Sequence, residues 1–139
     1  MNYGTYFAGS DGRIACCGVD YTASYWFSDG YSDYMRHFQW AMGAVPEFAP
    51  MGEDHVLRSS SVVQKVKYAA RSVEYKTFDA AATEVLRLSF KPVNVTAGGA
   101  ALHERGDTRE EGYTLQSLAA GDWVVRVRHA NSGQINIGG

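Results

Sequence analysis

The chain has 139 residues, of which 45% are hydrophobic and 20% charged, with a formal net charge of -2. That length suits one domain, and the composition is that of an ordinary globular chain. A balance so near neutrality excludes a strong pull toward nucleic acid or an acidic membrane, and no apolar run approaches a membrane span.

The opening residues, MNYGTYFAGSDG, have neither the basic start nor the apolar stretch of a secretory signal, so they identify no compartment. Either the mature chain begins here, the protein is intracellular, or an upstream portion has been removed. Rings crowd the region before Pro50: Tyr3, Tyr6, Phe7, Tyr21, Tyr25, Trp26, Phe27, Tyr31, Tyr34, Phe38, Trp40 and Phe48. Asp11-Gly12 is a strong turn signal between Tyr6-Phe7 and Ile14 to Cys17, which predicts a hairpin. Cys16 and Cys17 are adjacent. Neighbours on a strand point to opposite faces, so the pair reads as two free thiols and carries no zinc spacing.

Tyr21 to Phe27 reads as strand or extended loop, broken by Ser28-Asp29-Gly30. Ser32 or Asp33 then makes an N-cap, and Tyr34, Phe38, Ala41 and Met42 recur at helical spacing. A helix is predicted from about Asp33 to Met42, stopped by Gly43 and followed by Pro46. Pro46 and Pro50 frame a linker into the second region.

From about His55 the pattern becomes a ladder of seven short alternating strands punctuated by Gly, Asn and Asp. The predicted fold class is mostly β: an antiparallel β-sandwich over 51–139, preceded by an aromatic-rich segment, 1–50, with a hairpin and one α-helix. The predicted core is Val62, Val66, Val73, Tyr75, Leu86, Leu88, Val93, Val95, Leu115, Trp123, Val125, Val127, Ile135 and Ile137. His103 to Gly112 is a charged excursion between strands.

Three phrases in the ladder carry a resemblance: Tyr75-Lys76-Thr77-Phe78-Asp79, Leu86-Arg87-Leu88 and Lys91-Pro92-Val93. They resemble the C-terminal β-sandwiches behind the catalytic barrels of bacterial polysaccharide-active enzymes of the six-hairpin glycosidase type. The upstream piece, SDGYSDYMRHFQWAMGAVPEFAP, is similar to the closing helix of such a barrel. The resemblance implies a non-catalytic accessory module that stabilises a neighbour or holds a glycan. It transfers no catalytic residue, because the barrel itself is not represented here.

Glycans are held by rings that stack on the apolar side of a sugar, with carboxylates taking the hydroxyls. Asp20, Tyr21, Tyr25, Trp26 and Asp29 have that chemistry and are the candidate carbohydrate-binding residues. The same rings suit filling the gap between helix and sandwich. Asp20, Asp29, Asp33, Glu47, Glu53 and Asp54 are the acids available for glycoside hydrolysis, but spacing alone pairs none of them. His37, His55, His103 and His129 are scattered and lack metal spacing. Ser59-Ser60-Ser61 lacks the context of a nucleophile elbow, and Asn94-Val95-Thr96 matches a glycosylation acceptor.

The expected function is therefore an accessory module with a polysaccharide or glycan as partner, and with no cofactor or metal. The alternative is a self-assembling subunit, a homo-oligomer or part of a larger enzyme, that uses the aromatic segment as interface or donor strand.

Overall fold

The computed structural model describes Tyr6–Ala8, Ile14–Cys16, Val19–Asp20 and Trp26–Gly139, with side chains from Met35 onward. The chain forms two compact units, Met1–His37 and Phe38–Gly139.

In the first unit, strands β1 (Tyr6–Ala8), β2 (Ile14–Cys16) and β3 (Val19–Asp20) form an antiparallel sheet in the order β1-β2-β3. Tyr6 pairs with Cys16 and Ala8 with Ile14, so the strands on either side of Asp11-Gly12 do pair as a hairpin would. Residues 9–13 and Cys17 lie outside the described residues.

Helix α1 spans Trp26–Ala44, longer at both ends than the predicted Asp33 to Met42. Ser28-Asp29-Gly30 does not break it. A single interior glycine costs about 1 kcal/mol relative to alanine, which a helix of 19 residues absorbs. Gly43 does not end it either. It is buried where α1 meets the sandwich, and a Cβ there would lie 3.0 Å from Arg58 Cβ and 3.5 Å from the Leu57 carbonyl oxygen. Its role is close approach. Among the described residues no helix is long and apolar enough to cross a membrane.

A 3-10 turn, Pro46–Phe48, leads into β4 (His55–Ser59), β5 (Val63–Ala69), β6 (Ser72–Thr77), β7 (Ala82–Leu88), β8 (Asn94–Ala97), β9 (Ala100–Ala101), β10 (Gly112–Ser117), β11 (Trp123–His129) and β12 (Gln134–Gly138). They form two antiparallel sheets, ordered β10-β11-β7-β4 and β5-β6-β12-β8-β9. The fold is a mostly β antiparallel sandwich with one α-helix in the N-terminal region. β4 and β9 are additional to the seven strands expected. A bulge between Val56 and Arg58 hides the alternation of β4, and β9 has only two residues.

The core lies between the sheets. Val73, Tyr75, Val95, Ala97, Ile135 and Ile137 meet Leu86, Leu88, Phe90, Tyr113, Val125 and Val127, with Val66, Leu115 and Trp123 packed at its margin. Each fully buried large apolar side chain contributes about 1.5–3 kcal/mol of transfer free energy. Two expected core residues are not in it: Val62 is 68% and Val93 73% exposed. Both precede the first residue of their strand, so counting the two-residue period back from β5 and β8 assigns them to the wrong face. Pro92 is buried in place of Val93.

β4 and β5 are the edges on one side of the sandwich, and each carries a bulge, β5 between Val63 and Lys65. The Val56 N–H donates to the Tyr68 hydroxyl at 3.1 Å, so a β5 side chain caps an edge donor of β4. Bulges and a blocked donor discourage pairing with another strand. The loop from His103 is solvated as expected, yet it is fastened. Arg105 N–H donates to the Tyr113 carbonyl at 2.8 Å, and Arg105 Nε donates to the Glu111 carbonyl at 2.7 Å.

Candidate functional site

Strand β7 places polar side chains on both faces of its sheet. Ala82, Glu84, Leu86 and Leu88 face the core, while Arg87 faces outward and is nevertheless only 2% exposed. The segment after α1 lies over it. Arg87 Nη1 donates to the carbonyl oxygens of Pro46 (3.2 Å), Glu47 (3.3 Å) and Ala49 (2.5 Å). Nε and Nη2 both reach Asp122 Oδ2, at 2.9 and 2.7 Å. The same oxygen accepts the Gly52 N–H at 3.0 Å. One planar guanidinium thus gathers three carbonyls of the 3-10 turn and its exit, of which the Pro46 oxygen also accepts the Ala49 N–H, and ties them to a carboxylate from the turn before β11. Burial alone would raise the Asp122 pKa. The Gly52 N–H and the Arg87 guanidinium outweigh it and hold the carboxyl below its usual range. Val124, the register partner of Arg87, is also fully buried on this face.

This clamp fixes residues 46–52 on the sandwich and presents what they carry. Phe48 is 71% and Met51 73% exposed, and the neighbouring helix residues Phe38 and Trp40 are 49% and 65% exposed. Large apolar side chains thus stand exposed on, and on the helix before, a segment held firmly by buried charge. Beside it, a groove of 460 Å³ runs between the end of α1 and β4, with Gln39, Met42, Pro50, His55, Arg58 and Val63 among its walls.

The inner face of β7 holds a second polar cluster. Glu84 is fully buried and accepts from Tyr75 Oη at 3.0 Å and Ser59 Oγ at 3.0 Å. His129 Nε2 lies 3.1 Å from Glu84 Oε2, off the line of a well-formed hydrogen bond. His129 Nδ1 faces the Ala80 carbonyl at 2.7 Å. Burial works against an imidazolium here, but Glu84, the Ala80 carbonyl and Glu111 together raise the His129 pKa above its ordinary value. Tyr75 is held neutral well above its ordinary value by burial and by the Glu84 charge. The cluster draws on β4, β7 and β11 of one sheet and β6 of the other, so it joins the two sheets through their core.

Asp20 ends β3, and Trp26 and Asp29 lie in the first part of α1; their side chains are outside those described. Tyr21 and Tyr25 lie outside the described residues. Among the candidate acids, Asp54 caps Ser89 through its N–H (2.7 Å) and hydroxyl (2.9 Å), and Glu53 meets His55 at 2.8 Å on the surface. Both are occupied locally. Among the described residues, no three His, Cys, Asp or Glu side chains converge as a metal site.

Sequence reasoning missed Arg87, Asp122 and Glu84, and gave His129 only as one of four scattered histidines without metal spacing. The available signal was an arginine between two leucines in Leu86-Arg87-Leu88, which a solvated strand face equally explains. No known protein family, curated protein or solved structure matches the chain.

Proposed function

We propose that this chain is a non-catalytic β-sandwich accessory module of a carbohydrate-active enzyme, which steadies a neighbouring domain and holds glycan. The observation that supports this reading is the Arg87–Asp122 clamp. Buried charge is used to fix a connecting segment, while Phe38, Trp40, Phe48 and Met51 stand exposed on and beside it. A module that docks against a neighbour needs its connection rigid and its apolar surface available at that end. The likeness of Tyr75 to Asp79 and of Leu86 to Leu88 to sandwiches of polysaccharide-active enzymes points the same way.

The glycan part is tested by affinity gels carrying common plant and bacterial polysaccharides. Wild type is retarded by at least one, and Trp26→Ala loses that retardation. If neither protein is retarded by any of them, the glycan claim falls. A second reading, self-assembly, is favoured by the same exposed rings. It requires oligomers that Trp40→Ser with Phe48→Ser disperses, and a monomer by light scattering at high concentration removes it.

A further inference from the structure

The outward face of the five-stranded sheet carries charge in an arrangement that folding does not call for. Lys65 on β5 stands directly opposite Lys76 on β6, and Gln134 on β12 continues the same row. In the next row Lys67, Glu74, Asn136 and Thr96 succeed one another across β5, β6, β12 and β8. Lys65, Lys67, Glu74, Lys76 and Gln134 are exposed and, with Tyr75, line a recess of 260 Å³. Like charges at directly opposed positions destabilise a sheet. Among the described residues neither Lys65 nor Lys76 has an ion-pair partner.

Lysines on an edge strand guard against stray strand pairing, which accounts for Lys65 and Lys67. It does not account for Lys76, because β6 is paired on both sides. This face, three lysines against one glutamate, is positive on a chain whose net charge is -2. No aromatic side chain lies in these two rows, so the face offers ion pairs and hydrogen bonds and no stacking platform.

We infer that this face binds an anionic polysaccharide, one whose repeating carboxylates or sulfates lie across β5, β6 and β12. Lys65 and Lys76 pair with its charges, and Gln134 and Asn136 take its hydroxyls. The anionic groups relieve the repulsion between the opposed lysines. This rests on the module reading and names the glycan class for it.

The test is affinity electrophoresis of the full chain in gels containing polygalacturonate, dextran sulfate or neutral dextran. Wild type is retarded by at least one anionic polymer at low salt, the two arms telling carboxylate from sulfate, and dextran does not retard it. Lys65→Gln with Lys76→Gln weakens binding about tenfold, the loss of two charge contacts. Arg126→Gln with Arg128→Gln makes the same charge change on the other sheet and leaves binding within about twofold. The lysine double variant melts no lower than wild type, and Lys65→Gln alone gives an intermediate loss.

Equal losses in the two double variants overturn the inference in favour of diffuse charge, as does equal retardation by duplex DNA. Retardation by dextran alone overturns it and leaves the module reading standing. No retardation by any anionic polymer overturns it as well, with the Trp26→Ala gels then deciding the broader reading separately.

Discussion

Glu84 and Arg87 stand three positions apart on one strand, face opposite ways, and are both sealed from solvent. The inner cluster around Glu84 joins sheet to sheet, and the outer clamp around Arg87 joins the connecting segment to the sandwich. They differ in how fully their polar groups are used. Arg87 spends its donors on a carboxylate and three carbonyls. His129 Nε2 lies 3.1 Å from Glu84 Oε2 without a well-formed hydrogen bond. A buried charge is tolerated when its partners saturate it, and removing one partner costs more than the pair contributed. The outer clamp is therefore the stronger constraint and the inner cluster the softer one, although both are equally buried.

The largest expected effect separates the two. Arg87→Met leaves Asp122 buried and unpaired and lowers stability by about 3–5 kcal/mol in urea unfolding. Adding Asp122→Leu recovers much of that loss and still leaves residues 46–52 open to protease. A double variant as unstable as the sum of the singles would show that the two side chains are not partners. Glu84→Ala strands Tyr75, Ser59 and His129 and costs about 2–3 kcal/mol, while residues 46–52 stay protected. If that segment becomes cleavable too, the faces are not independent.

The pH profile sharpens the contrast, because the two clusters fail at opposite ends. The folded Asp122 pKa is lowered, so its contribution is present above the unfolded carboxyl value of about 3.9 and is lost as pH falls through the lower folded value. The folded His129 pKa is raised, so its contribution is full below the unfolded imidazole value of about 6.5 and is lost as pH rises through the higher folded value. Melting curves across pH show both limbs. Asp122→Asn removes the acid limb's dependence on this carboxyl, and His129→Gln removes the loss above neutrality. A stability that does not change from slightly acid to mildly alkaline pH would refute the assignment for His129.

The smallest effects lie at the misassigned valines. Val62→Thr and Val93→Thr each change stability by less than about 0.5 kcal/mol. Val73→Ala, at a residue fully buried in the core, costs about 2 kcal/mol or more by the same measurement. A large cost at Val93 would return it to the core.

Much of the sandwich was legible along the chain. Val73, Tyr75, Leu86, Leu88, Val95, Val125, Val127, Ile135 and Ile137 all reach the core on the face that alternation assigns them. The glycan candidates Tyr21, Tyr25, Trp26, Asp20 and Asp29 rest on composition alone, and ring count cannot say which rings face solvent. The clamp was not legible, because Arg87 has the parity of a solvated residue and only the return of residues 46–52 over β7 buries it. The Lys65–Lys76 opposition was equally hidden. It depends on the register of β5 against β6, which the bulge near Val63 shifts.

By itself the sequence determined the strand periods, the presence of a helix near Phe38, and so the mostly β class. These follow from local sterics and two-residue alternation, which need no knowledge of distant neighbours. The tertiary structure decided which polar side chains were buried, which strands were edges, and which lysines faced each other. Those outcomes depend on residues of different strands and turns meeting in space, as Lys65 meets Lys76 and as Arg87 meets Asp122. No local pattern encodes such a meeting, because the free energy that selects it appears only when both partners leave water together.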